Sequence, residues 1–247
     1  MLELSKNLQV GIIATRRPEL LERTLRSFNE NLFRHFDISA SYANLDPAFG
    51  DAKCHKKAIE CIRYFLPNCK IREPEKPSFG GAVKWLWGEF QPGLALHLED
   101  DWELMCNLYP DDVYSQLRKG FSAVSLCGNN RNWLHRRNYL YINEPRQKFP
   151  FIGKTKKPVL GTQPKFIEGG FANQISTLID PEKDPEKQML PNAGQKFSEL
   201  LNSNRCGFLK KSGSRQYGVL RELGRDWRNR NNINKILRDG VSIWEKS

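Results

Sequence analysis

The stretch LALHLEDD, residues 94–101, decides how the rest of the sequence is interpreted. Its first five residues are apolar apart from His97, as in a buried strand, and the carboxylates Glu99, Asp100 and Asp101 follow at once. Adjacent acids repel one another unless a positive group neutralises them, and their oxygen ligands suit Mg²⁺ or Mn²⁺. On local sequence alone, a solvated acidic turn with Asp101 capping a helix from residue 102 explains the triplet equally well.

Strand and helix patterns alternate on both sides of this stretch. Short apolar runs predict strands at residues 8–14, 37–45, 69–72, 94–98 and 123–128. Helical periodicity occupies residues 18–32, 52–65 and 82–87 between them. The alternation predicts an α/β fold with a mostly parallel sheet flanked by helices. Beyond about residue 130 the sequence predicts loops, with helices only at 192–202 and 225–238.

Length and composition exclude several classes of protein. The chain has 247 residues, of which 39% are hydrophobic and 27% charged, so neither a disordered nor a fibrous protein fits. No apolar run approaches the roughly 20 residues of a membrane-spanning helix, and the N-terminus lacks the pattern of a secretory signal. The six cysteines form no C-x-x-C pair. We therefore expect reduced thiols and a cytoplasmic location.

The positive charge is concentrated in the second half of the chain. Residues 1–127 carry 16 basic and 17 acidic residues, whereas 128–170 carry 9 and 2, and 205–247 carry 11 and 4. The net charge of +11 therefore comes from two segments. Such a distribution suits an anionic partner (nucleic acid, acidic glycan or anionic lipid), and it equally suits general solubility.

Polar residues follow three of the predicted strands at the edge where ligands of open α/β sheets bind. They are Thr15-Arg16-Arg17, Asn44-Leu45-Asp46 and the acidic triplet. The P-loop and G-x-G-x-x-G motifs are both missing from the sequence. Gly80-Gly81 alone is weak evidence for a phosphate cradle, because a tight turn before a helix needs the same residues.

The order of these motifs resembles the nucleotide-sugar domain of GT-A glycosyltransferases of the family 2 type. The resemblance covers about residues 8–130, and its most specific part is residues 96–103, which are similar to the Asp-x-Asp element in its Glu-Asp-Asp variant. It implies a Rossmann-like donor half at 1–130 and an acceptor-binding half at 131–247 of the same single domain. The expected reaction moves a sugar from a nucleoside diphosphate sugar, UDP by default, to a hydroxyl group.

The same resemblance assigns roles to individual residues. Asp101 would be the direct ligand of Mn²⁺ or Mg²⁺, Asp100 would face the ribose or sugar, and Glu99 would support them. The nucleotide-sugar pocket would further contain Thr15, Arg16, Arg17, Asn44, Asp46, Gly80 and Gly81.

An inverting transferase also needs a carboxylate that accepts the proton of the acceptor hydroxyl. We expect Glu168, in an apolar segment with Gly169 and Gly170, to be this base. An ordinary exposed or ion-paired acid is the alternative, and Asp180 and Asp226 are weaker candidates.

The basic second half predicts a large anionic acceptor. Trp133, Arg136, Arg137, Gly169, Gly170 and Arg228 are the expected acceptor-binding residues. The leading acceptor is a hydroxymethylated pyrimidine in double-stranded DNA, as for a phage-type transferase working in the host cytoplasm. A lipopolysaccharide or other surface glycan is the alternative acceptor. A nucleic-acid-binding protein or a metal-dependent nuclease is the alternative from another class.

Overall fold

The computed structural model describes residues 6–127, 141–145, 154–190, 194–209, 219–238 and 241–246. The strands are β1 (Asn7–Thr15), β2 (Asp37–Asp46), β3 (Lys70–Arg72), β4 (Leu94–Glu99), β5 (Trp102–Leu104), β6 (Phe121–Ser125), β7 (Tyr141–Pro145), β8 (Lys154–Pro158), β9 (Lys165–Glu168), β10 (Arg205–Phe208), β11 (Leu220–Glu222), β12 (Ile233–Arg238) and β13 (Val241–Lys246). The helices are α1 (Pro18–Asn31), α2 (Ala52–Phe65), α3 (Phe79–Glu89), α4 (Pro110–Leu117), α5 (Gly169–Leu178), α6 (Pro185–Gln188), α7 (Gln195–Ser203) and α8 (Gly224–Arg230). Within these ranges, no helix is long and apolar enough to cross a membrane.

A seven-stranded sheet with the order β10-β6-β9-β4-β1-β2-β3 forms the centre of the fold. Neighbouring strands run parallel, except that β9 is antiparallel to both β4 and β6. This confirms the predicted α/β fold with a mostly parallel sheet flanked by helices. The parallel arrangement brings the ends of β1, β2 and β4 to one edge of the sheet.

Two apolar layers cover the faces of the sheet because alternate residues of each strand point in opposite directions. Val10 and Ile12 of β1 pack in one cluster with Leu21 and Phe28 of α1. The other cluster contains Ile13 with side chains of α3 and α5. The helices begin where the sequence provides caps: Asp51 accepts a hydrogen bond from the Cys54 amide at the start of α2. These layers fix the strand ends that carry the polar residues.

Three local predictions are wrong. Trp102–Leu104 forms strand β5, which pairs with β11, so Asp101 does not cap a helix there. The helix expected over 225–238 ends at Arg230, and β12 follows from Ile233. Strands β9 and β10 of the second half join the central sheet instead of lying among loops. Both are only four residues long.

Candidate active site

A cavity of about 1110 Å³ opens at the carboxyl ends of the parallel strands. The strand ends contribute Thr15, Arg17, Asp46, Glu99, Asp100 and Asp101 to its wall. Strand β11 and helix α8 form a second wall with Glu222, Arg225, Asp226 and Arg228. Thr162, Gln163 and Glu186 enter from residues 160–188. The acidic triplet therefore faces a cleft that three separate parts of the chain enclose: the strand ends, β11 with α8, and residues 160–188.

Asp100 is held by the end of β1. Both the amide and the hydroxyl of Thr15 donate to Asp100 Oδ2 at 2.8 Å, and Arg17 Nη2 lies 2.5 Å from Oδ1. Arg17 also donates through Nε to Thr15 Oγ1 at 2.8 Å and contacts Asp101 Oδ2 at 3.3 Å. Although burial opposes the charge of Arg17, the two aspartates raise its pKa. Arg17 thus remains a buried cation that neutralises part of the triplet.

Two aromatic rings enclose the Arg17 guanidinium. Its Cζ lies 5.2 Å from the ring centroid of Phe49 and 5.1 Å from that of Trp227 on α8. The two rings contact each other edge to face at 5.4 Å. Phe49 has a positive φ of 69°, an unusual backbone conformation for this residue. Cation–π contacts therefore connect α8 to the end of β1.

Asp101 lies between Arg17 and α8. Burial raises the pKa of Asp101 to about 6, although Arg17 and Arg228 favour its charged form. A Cβ at Gly224, the first residue of α8, would overlap Asp101 Oδ2, so only glycine permits this approach. Arg228 Nη1 lies 4.0 Å from the same oxygen, while its Nη2 donates to Glu222 at 3.0 Å. Asp101 is therefore the carboxylate against which the first turns of α8 pack.

Glu99 lies between two other acids of the cavity. Burial raises its pKa to about 8, and the nearby carboxylates of Asp101 and Glu186 add to the shift. Trp102 Nε1 donates to Glu99 Oε2 at 3.3 Å. Burial and the two neighbouring acids therefore both favour the protonated form of Glu99.

The cavity also contains an acid that the sequence analysis missed, Glu186 of the short helix α6. Its Oε1 accepts hydrogen bonds from the Thr162 amide at 3.2 Å, the Thr162 hydroxyl at 2.9 Å and Gln163 Nε2 at 3.1 Å. Local sequence offers no signal for it, because residues 180–183 and 184–187 are the same tetrapeptide, Asp-Pro-Glu-Lys. Glu182, its counterpart in the first copy, is exposed.

The lining of the cavity is strongly acidic. Among the described residues that line it, seven are carboxylic acids and three are arginines. No group of three or more His, Cys, Asp or Glu side chains converges as a complete metal site in the described ranges. A hard cation bound here would therefore need ligand oxygens or water besides Asp101.

Asp46 forms a separate polar corner of the cavity. It accepts a hydrogen bond from Asn44 Nδ2 at 2.8 Å, and Arg72 Nη1 donates to Asn44 Oδ1 at 3.0 Å. Burial raises the pKa of Asp46 to about 6. Asn44 is fully buried behind Asp46, so it orients that carboxylate and does not itself line the cavity.

The other donor-side residues predicted from the sequence lie next to the cavity and not in its wall. Arg16 is directed toward α2, where its Nε donates to His55 Nδ1 at 3.2 Å. Gly80 allows α3 to approach the backbone carbonyls of Pro181 and Lys183 closely, and the Gly81 amide donates to Ser78 Oγ at 2.9 Å. Residues 77–79 form the wall at this point.

The assignment of Glu168 requires a correction. Because β9 is antiparallel, Glu168 pairs with Leu94 at the start of β4, at the edge of the sheet opposite the acidic triplet. Its carboxylate accepts hydrogen bonds from the Gly170 and Phe171 amides and caps α5. Gly169 packs against the Gln91 carbonyl at the same edge. Glu168, Gly169 and Gly170 therefore do not reach the cavity, and the structure does not bring Glu168 together with the acidic triplet.

The remaining predicted residues divide into three groups. Arg228 lines the cavity, and its contact with the acceptor stays a prediction. Asp226 also lines it, whereas Asp180 forms an exposed ion pair with Lys183 at 2.9 Å. Trp133, Arg136 and Arg137 lie outside the described residues.

Neither a protein-family model nor a curated protein sequence matches this chain. Solved structures do. TarS 1-349 from S. aureus matches with a TM-score of 0.50 and 13% identity, over 82% of this chain and 58% of that one. GalNAc-T7 in complex with UDP, GalNAc and Mn²⁺ matches with a TM-score of 0.53 and 15% identity, over 82% of this chain and 41% of that one. The mannosyltransferase PcManGT from Pyrobaculum calidifontis, in complex with GDP-Man and Mn²⁺, matches with a TM-score of 0.53 and 9% identity, over 81% of this chain and 54% of that one.

This chain has the GT-A fold. It spans between 41% and 58% of the length of these three structures. At identities of 9–15% the likeness establishes the fold alone, so the chemistry has to be argued from the cavity.

Proposed function

We propose that this chain is a metal-dependent glycosyltransferase that moves a sugar from a nucleoside diphosphate sugar to a hydroxyl acceptor. The observation that carries the proposal is the arrangement of carboxylates in one cleft. Asp101 lies beside two arginines, and Glu186 accepts hydrogen bonds from a separate set of groups. Glu99 is near enough for the charges of both Asp101 and Glu186 to raise its pKa. Sugar transfer needs a group that stabilises the leaving diphosphate and a base that accepts the proton of the hydroxyl, both within reach of one bound substrate.

The residues present fit a divalent cation. The cavity wall contains seven acids and three arginines, and a bound divalent cation would offset this excess of acids where a diphosphate binds. Asp101 would hold the ion, and a divalent cation there would stabilise the negative charge that develops on the leaving diphosphate. Two of the structural neighbours, GalNAc-T7 and PcManGT, are complexes with Mn²⁺ and with UDP or GDP-Man, which supports this choice.

The donor would lie along the ends of β1, β2 and β4. Asp46, oriented by Asn44, offers an acceptor to a base N–H group, and Asp100 faces the ribose or sugar. Arg225 and Arg228, which line the cavity from α8, would bind the diphosphate. UDP is the nucleotide that we propose by default.

Glu186 is the proposed general base. Thr162 and Gln163 fix its carboxylate through Oε1, so the side chain is oriented before any ligand arrives. In this geometry Glu186 accepts the proton of the acceptor hydroxyl while the hydroxyl oxygen attacks the sugar carbon.

A thermal-shift panel tests the donor half. UDP, GDP, CDP and ADP, each with and without Mn²⁺ or Mg²⁺, should produce metal-dependent stabilisation for one nucleotide, since a ligand specific to the folded state raises its apparent stability. Asp101→Asn should abolish the metal-dependent part of the shift. Glu60→Gln, which removes an exposed acid of α2, should leave it unchanged. Stabilisation by duplex DNA but by no nucleotide would replace this proposal with a nucleic-acid-binding protein or nuclease.

For the acceptor we propose a hydroxymethylated pyrimidine in double-stranded DNA. The basic segments 128–170 and 205–247 support a large anion, and Arg225 and Arg228 of the second segment face the cavity. All six cysteines are free, in keeping with a reducing compartment and our proposed cytoplasmic location. Trp133, Arg136 and Arg137 remain proposed contacts to the acceptor.

Matched oligonucleotides distinguish the acceptors. With the donor found in the panel, a duplex containing hydroxymethylcytosine should gain the sugar, while the same duplex with cytosine should not. Transfer should weaken with added salt, and neutralising Arg136 and Arg137 should flatten this salt dependence. Transfer to lipopolysaccharide, with none to the modified duplex, would assign the glycan acceptor instead.

A further inference from the structure

Lys165, the first residue of β9, is a buried lysine for which the proposed chemistry has no direct use. Its side chain is 1% exposed, in the middle of the sheet. Lysine is almost never fully buried without a partner, because the ammonium loses its hydration. The environment of Lys165 therefore needs an explanation.

The ammonium of Lys165 is bound by a tight turn. Its Nζ donates to the backbone carbonyl of Gly161 and, at 2.6 Å, to that of Gln163. It also lies 5.9 Å from the ring centroid of Trp87, which closes the site from α3. One cation thus holds the carbonyls on both sides of Thr162.

The turn that Lys165 binds is the turn that binds Glu186. Thr162 donates to Glu186 Oε1 from its amide and from its hydroxyl, and Gln163 donates from its side chain. Thr162 itself is 2% exposed, so it has little freedom to adopt another orientation. The contacts run from Lys165 through residues 161–163 to Glu186.

Several titratable groups face the same ammonium from neighbouring elements. They are His97 and Glu99 of β4, Cys127 after β6, Glu186 of α6 and Cys206 of β10. The two glutamates favour the charged form of Lys165, whereas burial lowers its pKa to about 8. The positive charge therefore lies behind the two acids of the cavity wall.

We propose that Lys165 is a positioning residue for Glu186 that acts through the turn at residues 161–163. This inference rests on the proposed transferase function. Lys165 makes no contact with substrate; it keeps Thr162 and Gln163 in place so that Glu186 meets the acceptor hydroxyl in one orientation.

The test compares Lys165→Met with Lys84→Met in the full chain. Lys84 also donates to a backbone carbonyl, that of Ile179 at 2.8 Å, but lies outside the cavity wall. Lys165→Met should lower kcat at least tenfold and leave the Kd for nucleoside diphosphate with Mn²⁺ within twofold. In a Glu186→Gln background the same change should cost less than a further twofold. Lys84→Met should keep the wild-type kcat.

Amide hydrogen exchange gives a readout that needs no donor. Lys165→Met should speed exchange of the Thr162 amide at least tenfold, because that amide is held by Glu186. If Lys165→Met does not fold, a second variant is Thr162→Val, which removes the hydroxyl hydrogen bond to Glu186. It should lower kcat and leave the binding of the sugar donor unchanged.

Two results would overturn the positioning role. One is a wild-type kcat in Lys165→Met or Thr162→Val, and the other is an equal loss with and without Glu186. If Glu186→Gln alone leaves kcat unchanged, the base assignment fails and this inference fails with it. Unchanged exchange at Thr162 would instead refute the contact route alone, so the two failures are distinguishable.

Discussion

Arg17 stabilises the acidic wall before any ligand is present. It neutralises Asp100, contacts Asp101 and lies between the rings of Phe49 and Trp227. A guanidinium suits this position because its planar fork binds a carboxylate while its faces stack on aromatic rings. The neighbouring Arg16 has the same chemistry but makes a peripheral contact to α2.

We therefore expect Arg17→Met to be strongly destabilising. It leaves Asp100 buried without its ion pair, which typically costs about 3–5 kcal/mol. Arg16→Met should cost less than about 1 kcal/mol, because its partners are a histidine and a carbonyl near the surface. Urea denaturation of both variants measures the difference, and equal losses would contradict the structural role of Arg17.

A second prediction at the residue scale follows from proposing Glu186, and not Glu168, as the base. Glu186→Gln should lower kcat by about 10²–10⁴, the usual contribution of a general base, with donor binding retained. Glu182→Gln, in the identical tetrapeptide, and Glu168→Gln, at the opposite edge, should keep kcat within about twofold. Steady-state kinetics of the three variants decide among them, and a large loss in Glu168→Gln would restore the original assignment.

Among the elements, helix α8 is the one whose position completes the cavity. Gly224 allows its first turn to touch Asp101, Trp227 stacks on Arg17, and Arg228 reaches Asp101 and Glu222. Strand β11 leads directly into α8 and pairs with β5, which follows the acidic triplet. A short antiparallel ribbon thus couples the position of α8 to that of Asp101.

Gly224→Ala tests this coupling. The new Cβ overlaps Asp101 Oδ2, so either α8 or the Asp101 carboxylate has to move. We expect at least tenfold weaker binding of nucleoside diphosphate with Mn²⁺, measured by calorimetry. Gly88→Ala in α3 is the matched control, because its Cβ would meet only Ser176 Oγ, at 3.5 Å. Wild-type affinity in Gly224→Ala would show that α8 does not contribute to this site.

At the scale of the whole molecule, the acidic cavity destabilises the ligand-free fold. The pKa of Glu99 is raised to about 8, chiefly by burial, whereas an unfolded glutamate titrates near 4.3. Between these values the folded state binds more protons than the unfolded state, so stability falls as the pH rises toward 8. Below about pH 6.5 the buried His97, whose pKa burial lowers, contributes with the opposite sign.

The Tm of the ligand-free protein should therefore fall between pH 6.5 and pH 8. The expected loss is about 1–2 kcal/mol, or roughly 2–8 °C for a chain of this size. Glu99→Gln should flatten this part of the profile, while Glu103→Gln, which removes an acid paired with Arg23, should retain it. A wild-type slope in Glu99→Gln, measured by calorimetric scans, would show that another group carries the pH dependence.

Strand and helix patterns over residues 8–128 were sufficient to predict the α/β sheet and to place Thr15, Arg17, Asp46 and the triplet at one edge. This worked because local periodicity reports burial, and parallel strands end on the same side. The sequence also predicted a helix from residue 225, but the places of β9 and β10 in the sheet could not be predicted, since each depends on contacts with residues far away in the sequence.

The sequence by itself determined the fold class, the acidic triplet and the basic second half, because these are properties of local pattern and composition. The tertiary structure decided which acid lies where. Strand β9 enters the sheet antiparallel, and this reversal carries Glu168 to the wrong edge. Glu182 and Glu186 have the same local sequence, but only Glu186 meets Thr162 and Gln163. Packing decides in which direction a strand enters the sheet and which distant segments come into contact. The linear pattern of residue types does not encode either of these.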